Sequence, residues 1–366
     1  MSGRIVLFGA TGYTGALTAR ALVDRGVRPV LAARNRERLN ALAAELGGLE
    51  TRVADAAEPE TLRGLAGRGD VLVSTAGPIA RMGEPVVAAA VQAGAHYLDS
   101  TGESAFIRAV FERHGPAAAA AGCALVTAFG FDWVPGNLAG ALALRDAGAA
   151  ATRVDTGYFI TGGGGSVASG GTRASAIGVM LAPAFAFRGG RLVTEPTARR
   201  VRTFELGSRR REGVSVGGTE HLALPRIAPG LRDVGVYLGL PGAPARAAQV
   251  LAAGAALAGR VPGAREALGA VLRPLAPGST GGPDAEARAP VGALVAAEAF
   301  DARGTQLAAV RLSGVNPYDF TAAILAWGAE AAAAGALRGT GALGPVDGFG
   351  LDELERGCAE AGIAAR

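Results

Sequence analysis

Residues Ile5 to Gly15, IVLFGATGYTG, decide the fold. Four apolar residues of strand type run directly into three glycines spaced G-x-x-G-x-x-G, and a helical pattern follows from residue 13. A strand, a tight turn and a helix in that order form the cradle of a dinucleotide-binding fold. Each glycine has a physical task. Gly9 allows the tight turn, Gly12 lets the backbone approach a pyrophosphate, and Gly15 lets the helix pack close to the sheet. The phosphates then rest on the amides at the start of the helix, so Thr11, Tyr13 and Thr14 are placed with the glycines in the cofactor site. An ordinary tight strand–helix turn is the competing reading.

Working outward, the second strand ends LAARNRERL, residues 31 to 39. An NAD site carries Asp or Glu at that point to hold the ribose 2′-hydroxyl, whereas a cation there suits a 2′-phosphate. Arg34 stands at the strand end with Asn35 beside it, and the cofactor expected is NADP(H). Asp55, after the third strand, either meets the adenine or caps the next helix. Thr75, Ala76, Gly77 and Pro78 end the fourth strand at the carboxyl edge, where open α/β sheets bind ligands, and face the nicotinamide ribose.

The same alternation of short apolar runs and helical patterns continues to residue 130. Strands are expected at 5–8, 29–33, 51–54, 71–75, 97–99 and 124–127, and helices near 13–25, 36–46, 59–66, 84–93 and 104–121. That rhythm predicts an α/β fold, a Rossmann-type doubly wound parallel sheet. After Gly130 the pattern changes. Residues 154–160 and 234–238 alternate as strands, and 292–300 with 306–312 form a hairpin about Asp301 to Gly304, so a second α+β domain with a mixed or antiparallel sheet is expected. Helices return at 320–334 and 351–361, placed to pack back on the first domain. The boundaries expected are 1–134, 135–313 and 314–366.

Composition narrows the chemistry. All 36 basic residues are arginine. Without lysine there is no Schiff-base amine, no Walker A lysine and no Tyr-x-x-x-Lys relay. The net charge is only +4 and the arginines are scattered, so nucleic acid is not an expected partner; the cluster Arg199, Arg200, Arg202 and Arg209 to Arg211 is read as a solvated loop. Two cysteines make no disulfide framework and fit a reducing cytoplasm. No uninterrupted apolar run has the length of a membrane span, and the start of the chain leaves no room for a leader.

GATGYTG, LAARNRERL, VLVSTAGPIARMGEPVVAAAVQAGAHYLDSTGE and AFGFDWVPGNL together resemble the saccharopine dehydrogenase-like oxidoreductases. Within them the chain resembles a bacterial branch that includes trans-acting enoyl reductases. The resemblance covers the first 140 residues well, recurs in YFITGGGGSVASGGTRAS and in the C-terminal helices, and is poor over 190–290. It implies an NADP-binding Rossmann domain, a second domain carrying substrate contacts and the surface of a homodimer, and a cleft between them. The activity it implies is NADPH-dependent reduction of an activated double bond, of enoyl type, in a largely apolar small molecule that is lipid-like or carrier-bound. An opine- or saccharopine-type C=N reductase and a non-enzymatic NADP(H)-binding regulator are the alternatives; the lysine-forming reaction is disfavoured because its Lys/His pair cannot exist here.

A reductase needs a proton donor near the hydride acceptor. Tyr97 and Asp99 end the fifth strand and share a face by alternation; Tyr97 is a candidate donor, and Asp99 an acid or a cap. Asp132, in the loop after the sixth strand, either orients a ligand or bonds its own loop, with Phe131 and Trp133 as apolar walls of the pocket. Residues 161–175, TGGGGSVASGGTRAS, are either a flexible wall of the substrate cleft or a structural turn. In the first case Gly171, Thr172 and Arg173 meet substrate, with Thr172 capping an apolar helix. His114 and His221 pair with no ligand set at metal spacing, and no metal is expected.

Overall fold

A computed structural model describes residues 3–162, 183–207, 209–239, 249, 254 and 281–365. The chain divides into two compact units: Met1–Thr101, Phe106–Val134 and Pro317–Gly362 make the first, and Gly102–Ala105, Pro135–Asn316 and Ile363–Arg366 the second.

Six strands of the first unit come early in the chain: β1 (Ile5–Phe8), β2 (Val30–Ala33), β3 (Thr51–Val53), β4 (Val71–Ser74), β5 (His96–Asp99) and β6 (Ala124–Val126). A late strand, Gly341–Ala342, pairs with β6, and the seven lie in the order Gly341–Ala342, β6, β5, β4, β1, β2, β3. Every pairing is parallel. A parallel sheet is covered on both faces, which is why β1, β2 and β4 are buried at every residue and appear as apolar runs rather than alternations. Strand order turns at β1, flanked by β4 and β2, so the crevice of the fold lies at the carboxyl ends of β1 and β4.

Helices α1 (Tyr13–Asp24), α2 (Arg36–Glu45) and α3 (Ile79–Ala93) follow β1, β2 and β4. Gly94 ends α3 in a left-handed conformation, φ 68°. Helix Pro317–Ala333 packs on α1 and against β1, β4 and β5. It buries Phe320, Ile324, Leu325 and Trp327, and Gly328 admits the Phe129 ring, which a Cβ would meet at 2.3 Å.

The second unit holds β7 (Arg153–Gly162), β8 (Pro183–Arg188), β9 (Arg191–Pro196), β10 (Val201–Leu206), β11 (Arg209–Ser215), β12 (Asp233–Gly239), β13 (Val291–Phe300) and β14 (Gln306–Gly314). Strand Ile363–Ala365 pairs with β14. The main path is β10, β11, β12, β7, β13, β14, Ile363–Ala365, with β8 joined to β12 and β9 to β8. Only β7 and β12 run parallel; the sheet is mixed. Phe204 packs edge-on against Phe159 and Tyr237, at 5.5 and 5.7 Å between centroids, as the centre of one core. The Asp301 carboxylate accepts from the amides of Arg303 and Thr305 and closes the β13–β14 hairpin.

Three sequence expectations differ from the structure. Residues 59–66 form no α-helix, only a 3-10 turn at Pro59–Leu62, and 104–121 is broken by a π-helical stretch, Val110–His114. The arginine cluster is not one solvated loop: Arg202 lies on β10 and Arg209 to Arg211 on β11, with Arg199 and Arg200 in the join before β10, and Arg200 pairs with Glu195, Arg210 with Glu205, and Arg202 with Asp155 and Glu298.

Candidate functional site

The glycine turn connects β1 to α1 with the geometry its spacing predicts. Gly9 has φ +83°, and a Cβ there would lie 2.6 Å from the Ala76 amide nitrogen. A Cβ on Gly15 would lie 2.2 Å from the Gly9 carbonyl oxygen and 2.8 Å from Thr75 Oγ1. Gly12, the N-cap of α1, is different: its Cβ would meet only the Gly9 carbonyl, at 3.2 Å. Two glycines thus serve the protein's own packing, and the third keeps space in front of the helix. Gly12 brings no capping side chain and the first turn of α1 has no acidic residue, so α1 itself sets no negative group against a phosphate. The residues present fit the pyrophosphate of a dinucleotide. Thr11, Tyr13 and Thr14 are partly exposed in the same turn.

At the end of β2, Arg34 is exposed, and among the described residues it pairs with no carboxylate. Asn35 is the N-cap of α2, its side-chain oxygen accepting from the Arg38 amide at 2.9 Å. Asp55 accepts from the Ala57 amide at 3.0 Å, a bond within its own loop; the next helical turn, Pro59–Leu62, has Glu58 as its N-cap. Thr75 fastens β4 to β1: its amide and hydroxyl both donate to the Phe8 carbonyl, at 2.9 and 3.1 Å. Ala76, Gly77 and Pro78 follow at this edge with part of their surface exposed.

Beyond β4 the edge is organised by Asp99. Its side chain is fully buried and accepts from the amides of Thr101 and Ala128, at 2.8 and 2.9 Å, and from the Thr127 hydroxyl at 2.6 Å. Its backbone carbonyl accepts from the Phe129 amide at 2.6 Å. Burial pushes the carboxyl pKa up, while these donors pull it down. Asp99 is therefore the anchor of the loop after β6, holding Ala128 at φ 58°, where a non-glycine residue costs about 1 kcal/mol. Asp99→Ala would leave three buried donors unsatisfied. We expect a stability loss of about 3–5 kcal/mol, measured by urea unfolding, and an unchanged midpoint would remove the anchor.

Tyr97 shares the face of Asp99 as alternation requires, but its side chain is entirely enclosed. Burial first, and the neighbouring Asp99 charge second, hold its hydroxyl well above the usual tyrosine pKa. The phenol is enclosed at the end of the sheet. Phe131 and Trp133 are buried, at 6% and 1% exposed, with Phe131 edge-on to Phe320 at 6.3 Å.

Asp132, between those two rings, keeps part of its surface exposed. Protein surrounds its carboxyl, and that desolvation pushes the pKa up to about 6. A carboxyl so poised is a competent proton donor near neutral pH. Its loop is held from a second side as well. The Phe131 amide donates to Thr321 Oγ1 at 3.0 Å, and a Cβ on Gly130 would meet Thr321 Cγ2 at 3.0 Å. The same helical turn carries Tyr318, edge-on to Tyr13 at 5.1 Å. Sequence reasoning missed Tyr318, Phe320 and Thr321, because an Asn-Pro start marks a helix boundary and carries no sign of which loop it will meet.

The remaining candidates are structural or undescribed. Gly171, Thr172 and Arg173 lie outside the described residues. His221 is buried and accepts from the Phe187 amide, its pKa lowered to about 3 by burial. His114 pairs with Glu84. Among the described residues no cluster of His, Cys, Asp and Glu has the makings of a metal site, and no helix is long and apolar enough to cross a membrane.

Comparison with known proteins agrees with this geometry. Residues 5–126 match the saccharopine dehydrogenase NADP binding domain. A trans-acting enoyl reductase of Mycobacterium leprae is 45% identical over 140 residues, 37% of this chain and 34% of that protein; one of Mycobacterium ulcerans is 43% identical over the same shares. The match thus spans about a third of the length of these curated relatives. Saccharopine dehydrogenase (L-Glu forming) of Saccharomyces cerevisiae superposes with a TM-score of 0.61 at 11% identity, over 100% of this chain and 99% of that one, which establishes a shared fold. Residues 5–126 thus form an NADP-binding domain similar to that of the saccharopine dehydrogenases.

Proposed function

We propose that the protein is an NADPH-dependent reductase of an activated carbon–carbon double bond, of the enoyl type, in a largely apolar substrate that is lipid-like or carrier-bound. The observation that carries the reading is a single sheet edge with two features. A glycine turn there keeps the space in front of α1 clear, and Asp132, a carboxyl with a pKa of about 6, lies beyond β6. Bound NADPH supplies the hydride. The protein's own contribution is a proton: protonated Asp132 donates from its carboxyl oxygen to the carbon next to the carbonyl, and the Asp99 and Thr321 contacts hold its loop. The preference for C=C over C=N is supported by likeness to proteins named trans-acting enoyl reductases. Cys123 and Cys358 are buried and free, in keeping with a reducing cytoplasm. The same reading includes a homodimer.

The test offers the purified protein NADPH with an α,β-unsaturated thioester, and separately with a 2-oxo acid plus an amino acid. Nicotinamide absorbance should fall with the thioester only. Turnover confined to the oxo acid and amine would replace the enoyl reading with C=N reduction, and no turnover with either would favour a binding protein.

Cofactor choice is tested at Arg34. Replacing an exposed guanidinium that meets a 2′-phosphate removes a charge-assisted contact of about 1.5–3 kcal/mol. Arg34→Ala should weaken NADPH about ten- to hundredfold and leave NADH unchanged, as read by fluorescence titration. Equal weakening of the two would withdraw the role given to Arg34.

A further inference from the structure

We propose that Tyr318, from a helix more than 300 residues away in the chain, is a cofactor-positioning residue: with Tyr13 it forms an aromatic wall for the nicotinamide half of NADP(H). The inference rests on the cofactor assignment above and adds a residue to it. Tyr13 follows Gly12 directly, so it opens the helix whose first amides face the pyrophosphate. Tyr318 meets the Tyr13 ring edge-on, at 5.1 Å between centroids and 87° between planes. Both residues are partly exposed beside the glycine turn.

Topology decides which half of the dinucleotide the pair serves. A doubly wound sheet binds one mononucleotide on each side of its switch point. Arg34, at the end of β2, marks the adenosine side. Helix Pro317–Ala333 packs on β1, β4 and β5, the opposite side, and does not reach β2 or β3 by any principal contact. Two further contacts fix the same turn there: Phe320 is edge-on to Phe131, and Thr321 accepts from the Phe131 amide in the loop after β6. Tyr318 is therefore held between the glycine turn and the loop of Asp132, on the nicotinamide side. A π-face there suits a flat, apolar-edged ring, and aromatic contact of this kind contributes about 0.5–1.5 kcal/mol.

The experiment compares two ligands on the full-length protein by calorimetric titration: NADPH, and 2′,5′-ADP, which carries the adenosine half alone. Tyr318→Ala should weaken NADPH about three- to tenfold and leave 2′,5′-ADP unchanged, while Tyr318→Phe, which keeps the ring, should match the parent protein for both. Unchanged NADPH affinity in Tyr318→Ala overturns the proposal. Equal loss for both ligands overturns it too, as does a loss in Tyr318→Phe as large as that in Tyr318→Ala. Should the alanine variant fold poorly, Tyr318→Leu, which fills most of the ring's volume, is read by the same contrast. A parent protein that binds neither ligand would instead sink the cofactor assignment, an outcome distinct from all of these.

Discussion

Gly12→Val should give a folded protein that no longer binds NADPH. Folding survives because Gly12 is at φ −75° and ψ 166°, extended backbone open to any L-residue. An added Cβ meets one protein atom, the Gly9 carbonyl oxygen at 3.2 Å, which needs to give by only a few tenths of an ångström. Binding is lost because the valine methyls occupy the space through which a pyrophosphate reaches the first amides of α1. Losing those contacts weakens NADPH on the order of a hundredfold or more. The neighbouring glycines would not give this separation of effects. At Gly9 the backbone is left-handed and a Cβ is 2.6 Å from Ala76, and at Gly15 it is 2.2 Å from a carbonyl oxygen, so substitution there damages the turn itself. Melting temperature and NADPH titration on the same sample separate the two. A melting temperature near that of the parent together with retained affinity would place the nucleotide away from this turn.

How far the sequence discloses the molecule depends on what each element needs from its neighbours. The six early strands of the first unit are found within a residue or so, most plainly β1, β2 and β4, because a strand covered on both faces is apolar throughout and the helices between break the runs; Gly341–Ala342 carries no such signal. β9, β10 and β11 give no such signal. Their arginines are held by carboxylates brought from other strands: Arg202 meets Asp155 of β7 and Glu298 of β13. A charged strand of that kind resembles an exposed loop until its partners are known. The site shows the same division. Gly9, Gly12 and Gly15 act through local backbone geometry, so spacing alone reveals their tasks. Alternation assigns Tyr97 and Asp99 to one face but says nothing of depth, and depth is what makes Tyr97 packing and Asp99 an anchor. Thr321 and Tyr318 are long-range partners, visible only once the helix is placed.

Asp132→Asn should raise stability and lower turnover together, with opposite consequences for pH. The folded pKa of Asp132, about 6, lies above the usual value of 3.8 because burial disfavours the charged form. Above pH 6 the folded protein carries that charge at a cost the unfolded chain does not bear, about 2–3 kcal/mol after allowance for partial exposure. As the pH falls through 6 the folded form takes up the proton, and once the pH is well below 3.8, about 3, both forms are protonated and the cost is gone. Asparagine is neutral throughout. The variant should therefore melt above the parent near pH 8, with a difference that shrinks as the pH falls from 6 through 3.8 and disappears by about 3. A pH-independent difference would mean that the carboxyl is not raised. Turnover moves the other way: the parent uses protonated Asp132, so its rate should rise as pH falls through about 6, whereas the variant lacks the donor and loses about a hundred- to ten-thousandfold with no such limb. A stability gain without loss of rate would leave Asp132 as a strained loop residue and transfer the proton to another group. Loss of both rate and pH limb, with NADPH affinity intact, would identify a carboxyl whose poor solvation in the fold is what keeps its proton available.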